Sequence, residues 1–396
     1  MSPVFADWLL QCQDFHVCRS NKRYWAGHYP GTDLAALFSW DSLNDCLSTN
    51  RITNDRLRLS TAREYEQFNR RVFRPTRDAF GRATDHLQIH ELQAVMQSGV
   101  TAVLEAVNEL SRPVGALTER LAWELDVRST ANAYLSFGQT SGFGVHHDDH
   151  DVIVVQLDGR KMWQFFSAPH SPAKATIQDL KAPSEQDCGE HLVVSAGDIM
   201  YIPRGTWHDV TAMNEKSLHL TISLVQPTLL DFVQWELKNK QHQLCTQEID
   251  RTALSSESLL AFCRQAMAGL FTEGNLEAFL KHYHASHAVS HIKATFPSLH
   301  AAHIGDRFRR IATDVVVSGV SDDGRTISVF MLGRIHQLTH DEYTLLLALP
   351  CGSEKPGAAL LTDERQWADI APLLTRLMDQ GLAGKTSHDQ AAASAG

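Results

Sequence analysis

Two spacings of apolar residues divide this chain. In "LQAVMQSGVTAVLEAVNELSRPVGALTERLAWELD" (92–126) leucines, valines and alanines recur every three or four positions, the period of one buried helix face. Pro113 has the fixed φ and missing N–H that suit a first helical turn, so it marks the start of a second helix there. Residues 1–128 therefore read as mixed and mostly helical. From 129 to about 226 the period shortens to two. "ANAYLSF", "HDVIVVQL", "KMWQFFS", "HLVVSAG", "IMYIPRG" and "SLHLTISL" are β-branched or aromatic runs, punctuated by Gly159, Gly197 and Gly205. Short strands at this density predict a sandwich or small barrel, with a jelly roll the natural candidate.

Helical spacing returns after "VQPTLLDFVQWELKNKQHQ" and lasts to about 290, with "SLLAFCRQAMAGLF" and "NLEAFLKHYHASHAVSHI" as amphipathic helices. Beyond 305, "TDVVVSGVSDDGRTISVFML" predicts a hairpin across its Asp-Gly turn. "THDEYTLLLAL" predicts a helix with a Thr cap, and "DERQWADIAPLLTRLMDQGL" another that ends at Gly381. A hairpin with short helices suggests a small winged-helix-like domain. Residues 386–396 are small and polar, a disordered tail by composition.

Composition narrows the function classes. A length of 396 residues is enough for two or three domains, and 43% hydrophobic with 21% charged residues is ordinary for a globular protein. The net charge of −10 argues against a chain whose whole surface is a footprint for nucleic acid or anionic lipid. Seven cysteines, odd in number and without a CxxC pair, suit reduced thiols better than a disulfide framework. "MSPVFADWLLQCQDF" lacks a basic leader, and no window holds about 18 uninterrupted apolar residues. The expectation is a cytoplasmic protein without a membrane span.

The densest chemistry lies in "GFGVHHDDHDVIVVQLDGRKMWQFF" (142–166), where three histidines and three aspartates fill six positions ahead of a strand. On an extended backbone His146, Asp148 and His150 share one face, and His147, Asp149 and Asp151 share the other. A His-x-Asp pair sets an imidazole beside a carboxylate, as two adjacent ligands of one metal require. Alone, such a pair is more often a solvated strand end. Some 60 residues on, however, "SAGDIMYIPRGTWHDV" brings a Gly-Asp turn, an apolar strand, a Pro-Arg-Gly turn and then His208. Two histidines and one carboxylate on one face leave metal positions open, which suits non-haem Fe(II) and oxygen. A closed zinc site would want a fourth ligand, usually a thiolate, and no cysteine lies near in sequence. At this level the register His147 with Asp149 obeys the same spacing rule. Lys161, entering a barrel lined by Trp163 and Phe165, would be a poorly satisfied charge unless it met an anion. The distal carboxylate of 2-oxoglutarate would supply one.

Together, "GFGVHHDDHDVIVVQLDGRKMW", "GDIMYIPRGTWHDV" and "SLHLTISL" resemble the JmjC-type Fe(II)/2-oxoglutarate-dependent oxygenases, in particular the ribosomal oxygenase (cupin-4-like) branch. All four parts of the family pattern are present in order: the His-x-Asp segment, the Gly-Arg-Lys with Trp, the PRG turn with its His, and the alternating last strand. The resemblance implies His146, Asp148 and His208 as the metal-binding catalytic set and Lys161 as the residue holding 2-oxoglutarate. Asn132 matches a polar pocket residue, and Thr221 and Ser223 face the same cosubstrate. Tyr134, His147, His150 and Trp163 are candidates for the substrate pocket. His147 and His150 depart from the family pattern without touching the metal set.

The implied fold is α+β: a double-stranded β-helix (jelly roll, JmjC/cupin), a helical dimerisation module and the winged-helix-like domain. The corresponding boundaries are 1–228, 229–304 and 305–385, followed by the tail 386–396. The implied activity is that of a dioxygenase using Fe(II), 2-oxoglutarate and O2. It would hydroxylate a histidine- or arginine-type side chain of a protein, foremost a ribosomal protein, as a homodimer. The same chemistry on a peptide natural product or another small substrate is one alternative. A metal-binding cupin with a nucleic-acid-binding winged helix is another, disfavoured because residues 306–385 hold nine Lys/Arg against eleven Asp/Glu.

Overall fold

A computed structural model of the chain describes residues 4–61, 66–77, 79–167, 183–184, 187–239, 256–268, 271–286, 302–312, 314–351, 353–362 and 365–386. The chain divides into two compact units, Met1–Gln226 and Pro227–Gly396.

The first unit contains twelve described strands: β1 (Trp25–His28), β2 (Leu57–Ser60), β3 (Phe73–Arg77), β4 (Ala83–Leu87), β5 (Thr101–Leu104), β6 (Ala131–Ser136), β7 (Asp151–Asp158), β8 (Arg160–Phe166), β9 (Cys188–Ser195), β10 (Asp198–Ile202), β11 (His208–Ala212) and β12 (Ser217–Leu224). Seven form one antiparallel sheet in the order β1-β10-β7-β12-β6-β5-β2, and three form a second in the order β11-β8-β9. Side-chain alternation decides what each face of the large sheet meets. Ile153, Val155, Ile199, Tyr201, Leu218, Leu220 and Ile222 join the core made with the N-terminal helices. Val152, Val154, Met200 and Ile202 point the other way and pack with Trp163, Phe165 and Val194 of the small sheet. A strand covered on both faces has no solvent side to alternate with, which is why "VIVVQ" reads as a continuous apolar run. Chain order and strand order match the two-sheet jelly roll expected from the sequence.

The reading of residues 1–128 as mostly helical needs correction. Helices Ile89–Gln97 and Arg112–Leu125 form as predicted, with Pro113 in the opening turn of the second. Between them "TAVL" is strand β5, wholly buried, and β1, β2 and β5 extend both edges of the large sheet. Apolar residues on a four-residue strand buried on both faces cannot be told from a helical stripe by spacing alone.

In the second unit, helices Leu229–Asn239, Ser256–Ala268 and Glu273–Ala285 precede a mixed region. Strand β13 (Arg307–Arg310) is followed by β14 (Val316–Val320), β15 (Thr326–Met331) and β16 (Arg334–Thr339), and the last three form an antiparallel meander whose first turn carries Gly324 at φ +67°. Helix His340–Ala348 begins with a reciprocal capping box between Thr339 and Glu342. Helix Trp367–Asp379 stops just before Gly381, whose φ is +71°. Of the tail 386–396, Thr386 closes the strand Ala383–Thr386, and residues 387–396 lie outside the described residues.

Candidate active site

The two histidines are set by backbone before side chains matter. His146 and His208 form an isolated antiparallel bridge, N–H of each to C=O of the other at 2.9 and 2.8 Å, and their rings lie 4.3 Å apart. In each ring Nδ1 lies against a backbone carbonyl, Gly144 at 2.8 Å and Thr206 at 2.9 Å. A carbonyl only accepts, so Nδ1 carries the proton and Nε2 presents a lone pair. Burial pushes the pKa of His208 down to about 4, helped by the neighbouring charge of His146. At neutral pH it is therefore an uncharged donor of electrons. Asp148 completes the group, with its carboxylate 3.9 Å from His208 Nε2 and its side chain one-third exposed. The PRG turn holds the segment in place through Gly205 N–H to Asp148 C=O at 2.9 Å. Among the described residues no three His, Cys, Asp or Glu side chains are already gathered as a metal cage. The fit to a divalent metal comes from donor chemistry: two imidazoles whose Nδ1 atoms are held by backbone carbonyls, with a carboxylate beside them, all lining one cavity.

That cavity lies between the two sheets and measures about 520 Å³ including its open mouth. His146, Asp148 and His208 line one end. Along the small sheet β8 and β11 pair so that Phe165 faces His208 and Lys161 faces Ala212, which sets Lys161 four positions, about 13 Å, further in. Lys161 is 3% exposed and has no hydrogen bond or ion pair among the described residues. Burial alone depresses its pKa to about 7. Trp163, Tyr134 and Thr221 also line the cavity, as do His219, Ser136 and Thr101. Among the described residues Trp163 Nε1, His219 Nδ1 and Ser136 Oγ are buried without a hydrogen-bond partner. Orphan polar atoms of this kind are expensive unless something polar meets them. The Tyr134 ring stacks on His219 at 4.8 Å, and burial pushes its phenol well above the usual range.

Other residues singled out in the sequence stand elsewhere. Asn132 does not line the cavity: its Oδ1 accepts from Ala106 N–H at 2.9 Å and so braces a left-handed turn. Ser223, beyond Thr221 on the same strand face, bonds Thr130 Oγ1 at 2.8 Å instead. His147 points away, edge-on to Trp207 at 4.6 Å. His150 sits against Asp149 at 2.8 Å, and that contact holds the Asp149 carboxyl below its ordinary pKa. The expected strand alternation fails here because residues 149–150 form a bend and the strand begins only at Asp151. His150 accordingly leaves the face of His146 and Asp148, and the pair His147 with Asp149 does not meet His208.

Asp151 is neither ligand nor entrance charge. Buried, it accepts from Tyr201 O–H at 2.8 Å, Arg204 N–H at 2.9 Å and Lys22 Nζ at 2.7 Å. It thereby locks the PRG turn to β7. Arg58 on β2 was invisible in the sequence. Its guanidinium pairs with Glu105 at 2.8 Å and lies 4.8 Å over the Phe143 ring, behind Tyr134. Nothing in its neighbourhood signals a site, because the strand that carries it reads as part of a helical region. His219 had a readable signal, its alternation with Thr221.

Residues 111–232 match the JmjC domain family. A "Bifunctional lysine-specific demethylase and histidyl-hydroxylase NO66" of Drosophila mojavensis is 38% identical over 100 residues, 24% of this chain and 11% of that protein. "Ribosomal oxygenase 1" of Gallus gallus is 29% identical over 180 residues, 34% of this chain and 30% of that protein. This chain thus spans a third or less of the length of the curated relatives it matches. Among solved structures, the Escherichia coli ribosomal oxygenase YcfD superposes with a TM-score of 0.62, covering 95% of this chain and 98% of its own. A YcfD complex with cobalt and 2-oxoglutarate gives 0.61, covering 95% and 99%. Sequence identity is 15% in both, so this likeness is one of fold. The matched stretch 111–232 holds both histidines, the aspartate and the buried lysine, so the similarity to the JmjC domain falls on the residues that line the cavity.

Proposed function

We propose that this chain is an Fe(II)- and 2-oxoglutarate-dependent dioxygenase that hydroxylates a histidine- or arginine-type side chain of a protein, foremost a ribosomal protein. The observation that carries the reading is the pairing of two ends in one cavity. One end offers two imidazoles and a carboxylate; the other offers a buried lysine with no anion beside it among the described residues. His146, Asp148 and His208 would hold the metal, and Lys161 would take the distal carboxylate of the cosubstrate. When bound, iron with 2-oxoglutarate and O2 supplies oxidative decarboxylation to succinate and an oxidant for an unactivated C–H bond.

The chain's own residues do the rest. The Gly144 and Thr206 carbonyls hold both imidazoles by Nδ1 and so leave Nε2 as the nitrogen for a cation. Lys161 selects a dianion by length, since a shorter acid held at the metal end would leave the ammonium unmatched. Trp163, Val152 and Val210 keep that end dry, which strengthens the charge pairing. Tyr134 and His219, stacked, fill the wall between the two ends and keep the cosubstrate extended. The substrate enters where Asp148 is exposed. The relatives named for histidyl hydroxylation and ribosomal oxygenation favour a ribosomal protein over a peptide natural product.

Intact-mass analysis of ribosomal proteins from cells with and without the gene tests this. One protein lighter by a single oxygen in the knockout supports the reading and names its substrate; unchanged masses overturn the ribosomal assignment. We further propose that the helical region 229–304 mediates dimerisation, supported by its exposed Leu229, Leu230, Leu260 and Leu276. In the same reading the winged-helix-like region 305–385 shapes the dimer instead of binding DNA. Light scattering on the full chain distinguishes dimer from monomer.

A further inference from the structure

Three separate parts of the chain meet on one buried carboxylate, and two of them carry candidate metal ligands. Asp151 opens β7, three residues after Asp148, and its side chain is 3% exposed. Its two oxygens have different partners. Oδ1 accepts from Arg204 N–H at 2.9 Å, inside the PRG turn that precedes His208. Oδ2 accepts from Tyr201 O–H at 2.8 Å and from Lys22 Nζ at 2.7 Å.

From the turn the contacts run on into the ligand set. Gly205, next after Arg204, donates its N–H to the Asp148 carbonyl at 2.9 Å. Thr206, one residue further, holds His208 Nδ1 by its carbonyl at 2.9 Å. His208 in turn bridges His146 through the backbone. All three candidate ligands therefore hang on a turn whose place is fixed by Asp151 Oδ1.

Lys22 comes from outside the two sheets. It follows helix Gln13–Ser20 at φ +49°, a left-handed conformation that strains a lysine, and its side chain is 47% exposed. Strain of that kind persists where surrounding contacts impose it, and here the contact is the Asp151 carboxylate. Joining β7 to β10 does not need the ammonium, because the strands already pair Val152 with Ile202. What the ammonium does is compensate a carboxylate taken out of water, and hydrogen bonds to a charged acceptor are the strong ones.

We infer that Asp151 and Lys22 are a positioning pair for the metal ligands, the N-terminal segment acting through Asp151 on the PRG turn to set Asp148 and His208. The inference rests on the reading of His146, Asp148 and His208 as the metal set, and deepens it. Neither residue of the pair lines the cavity. An amide in place of Asp151 cannot do the same work. With its oxygen on Arg204 N–H, it turns its own N–H groups toward the Lys22 ammonium, donor against donor.

The experiment is titration of the full chain with Co(II), read by calorimetry and by the visible absorption band of the bound ion. The proteins are wild type, K22M, K22R, D151N and K22M/D151N. D151N should weaken Co(II) binding about tenfold or more and alter the band, as outer partners of metal ligands do. K22M, one contact further out, should weaken it about threefold or more, and K22R should restore it. In the double variant K22M should add nothing to D151N, because its effect passes through the carboxylate. Gly159→Ala controls for stability alone: it strains the turn at the other end of β7, about 25 Å away, and should leave Co(II) affinity unchanged. If D151N does not fold, K22M and K22R carry the test. No Co(II) binding by the wild type overturns the metal reading and this inference with it. Wild-type binding that K22M and D151N leave untouched, losses that add in the double variant, or an equal loss in Gly159→Ala would overturn the positioning role alone.

Discussion

Replacing Lys161 by Met should make the protein more stable and useless to its cosubstrate at once. The side chains have similar length, so packing against Trp163 and His219 is largely kept, and the charge is what disappears. Burial lowers the Lys161 pKa from its usual 10.5 to about 7. At about 1.4 kcal/mol per pKa unit, the charged form costs on the order of 4–5 kcal/mol inside the cavity. The unfolded chain keeps that proton up to about pH 10.5, whereas the folded chain releases it near pH 7. Between those values the unfolded state binds more protons, so wild-type stability rises with pH. The Met variant lacks the group and should lead by about 4 kcal/mol at pH 7 and by only about 1–2 kcal/mol at pH 9.5. For a unit of this size, the lead at pH 7 is on the order of 10 °C in Tm.

Calorimetry of the full chain without metal or cosubstrate, at both pH values, reads this directly. Meanwhile the KM for 2-oxoglutarate should rise at least about thirtyfold, as expected when one partner of a buried charge pair is removed. A lower Tm at pH 7, or a gain that ignores pH, would refute the isolated buried charge. A normal KM would refute its role as the carboxylate anchor.

His208→Ala should abolish 2-oxoglutarate consumption and weaken Co(II) binding at least about a hundredfold, as for loss of one of three ligands. If that variant stayed active while His147→Ala or His150→Ala was dead, the metal register would be wrong. Asp151→Asn weakens a carboxylate that holds three donors, and should cost about 2–4 kcal/mol in urea unfolding; a loss below about 0.5 kcal/mol would show that the brace is idle. Gly159→Ala should cost about 2 kcal/mol or more, because its φ is +65° and a Cβ would stand 2.0 Å from Lys216 C=O. A neutral melting temperature there would mean that the β7–β8 turn can open.

How much of this was legible in the sequence follows from which signals are local. Alternation located β6, β7, β8 and β12 to within a residue and β9 and β10 to within three, because each is a contiguous run; β11 was not among the runs it singled out. The ligand spacing His-x-Asp was legible for the same reason, and the distant His208 through the PRG turn ahead of it. What failed was anything decided by partners far along the chain. The strands β1, β2 and β5 owe their state to neighbours in the large sheet, and four residues apiece are too few to announce a period. Asn132 and Ser223 lie on the correct strand face, yet depth along the strand is set by loops that the sequence does not measure. His150 was separated from the pocket by the bend at 149–150, which alternation cannot foresee, whereas His147 lies on the face opposite His146 as alternation implied.

The backbone bridge between His146 and His208 has a consequence for the order in which the protein assembles. It closes a loop of about sixty residues by peptide hydrogen bonds alone, and loop closure on that scale costs roughly 4 kcal/mol of chain entropy. That cost is met by the growth of the two sheets, before any ligand set exists. A cation therefore meets a site whose spacing is already imposed, unlike a zinc finger, where the ion itself gathers a disordered chain. Chelation should strip such a centre and leave the barrel standing, so metal supply in the cell would set the protein's activity without setting its lifetime.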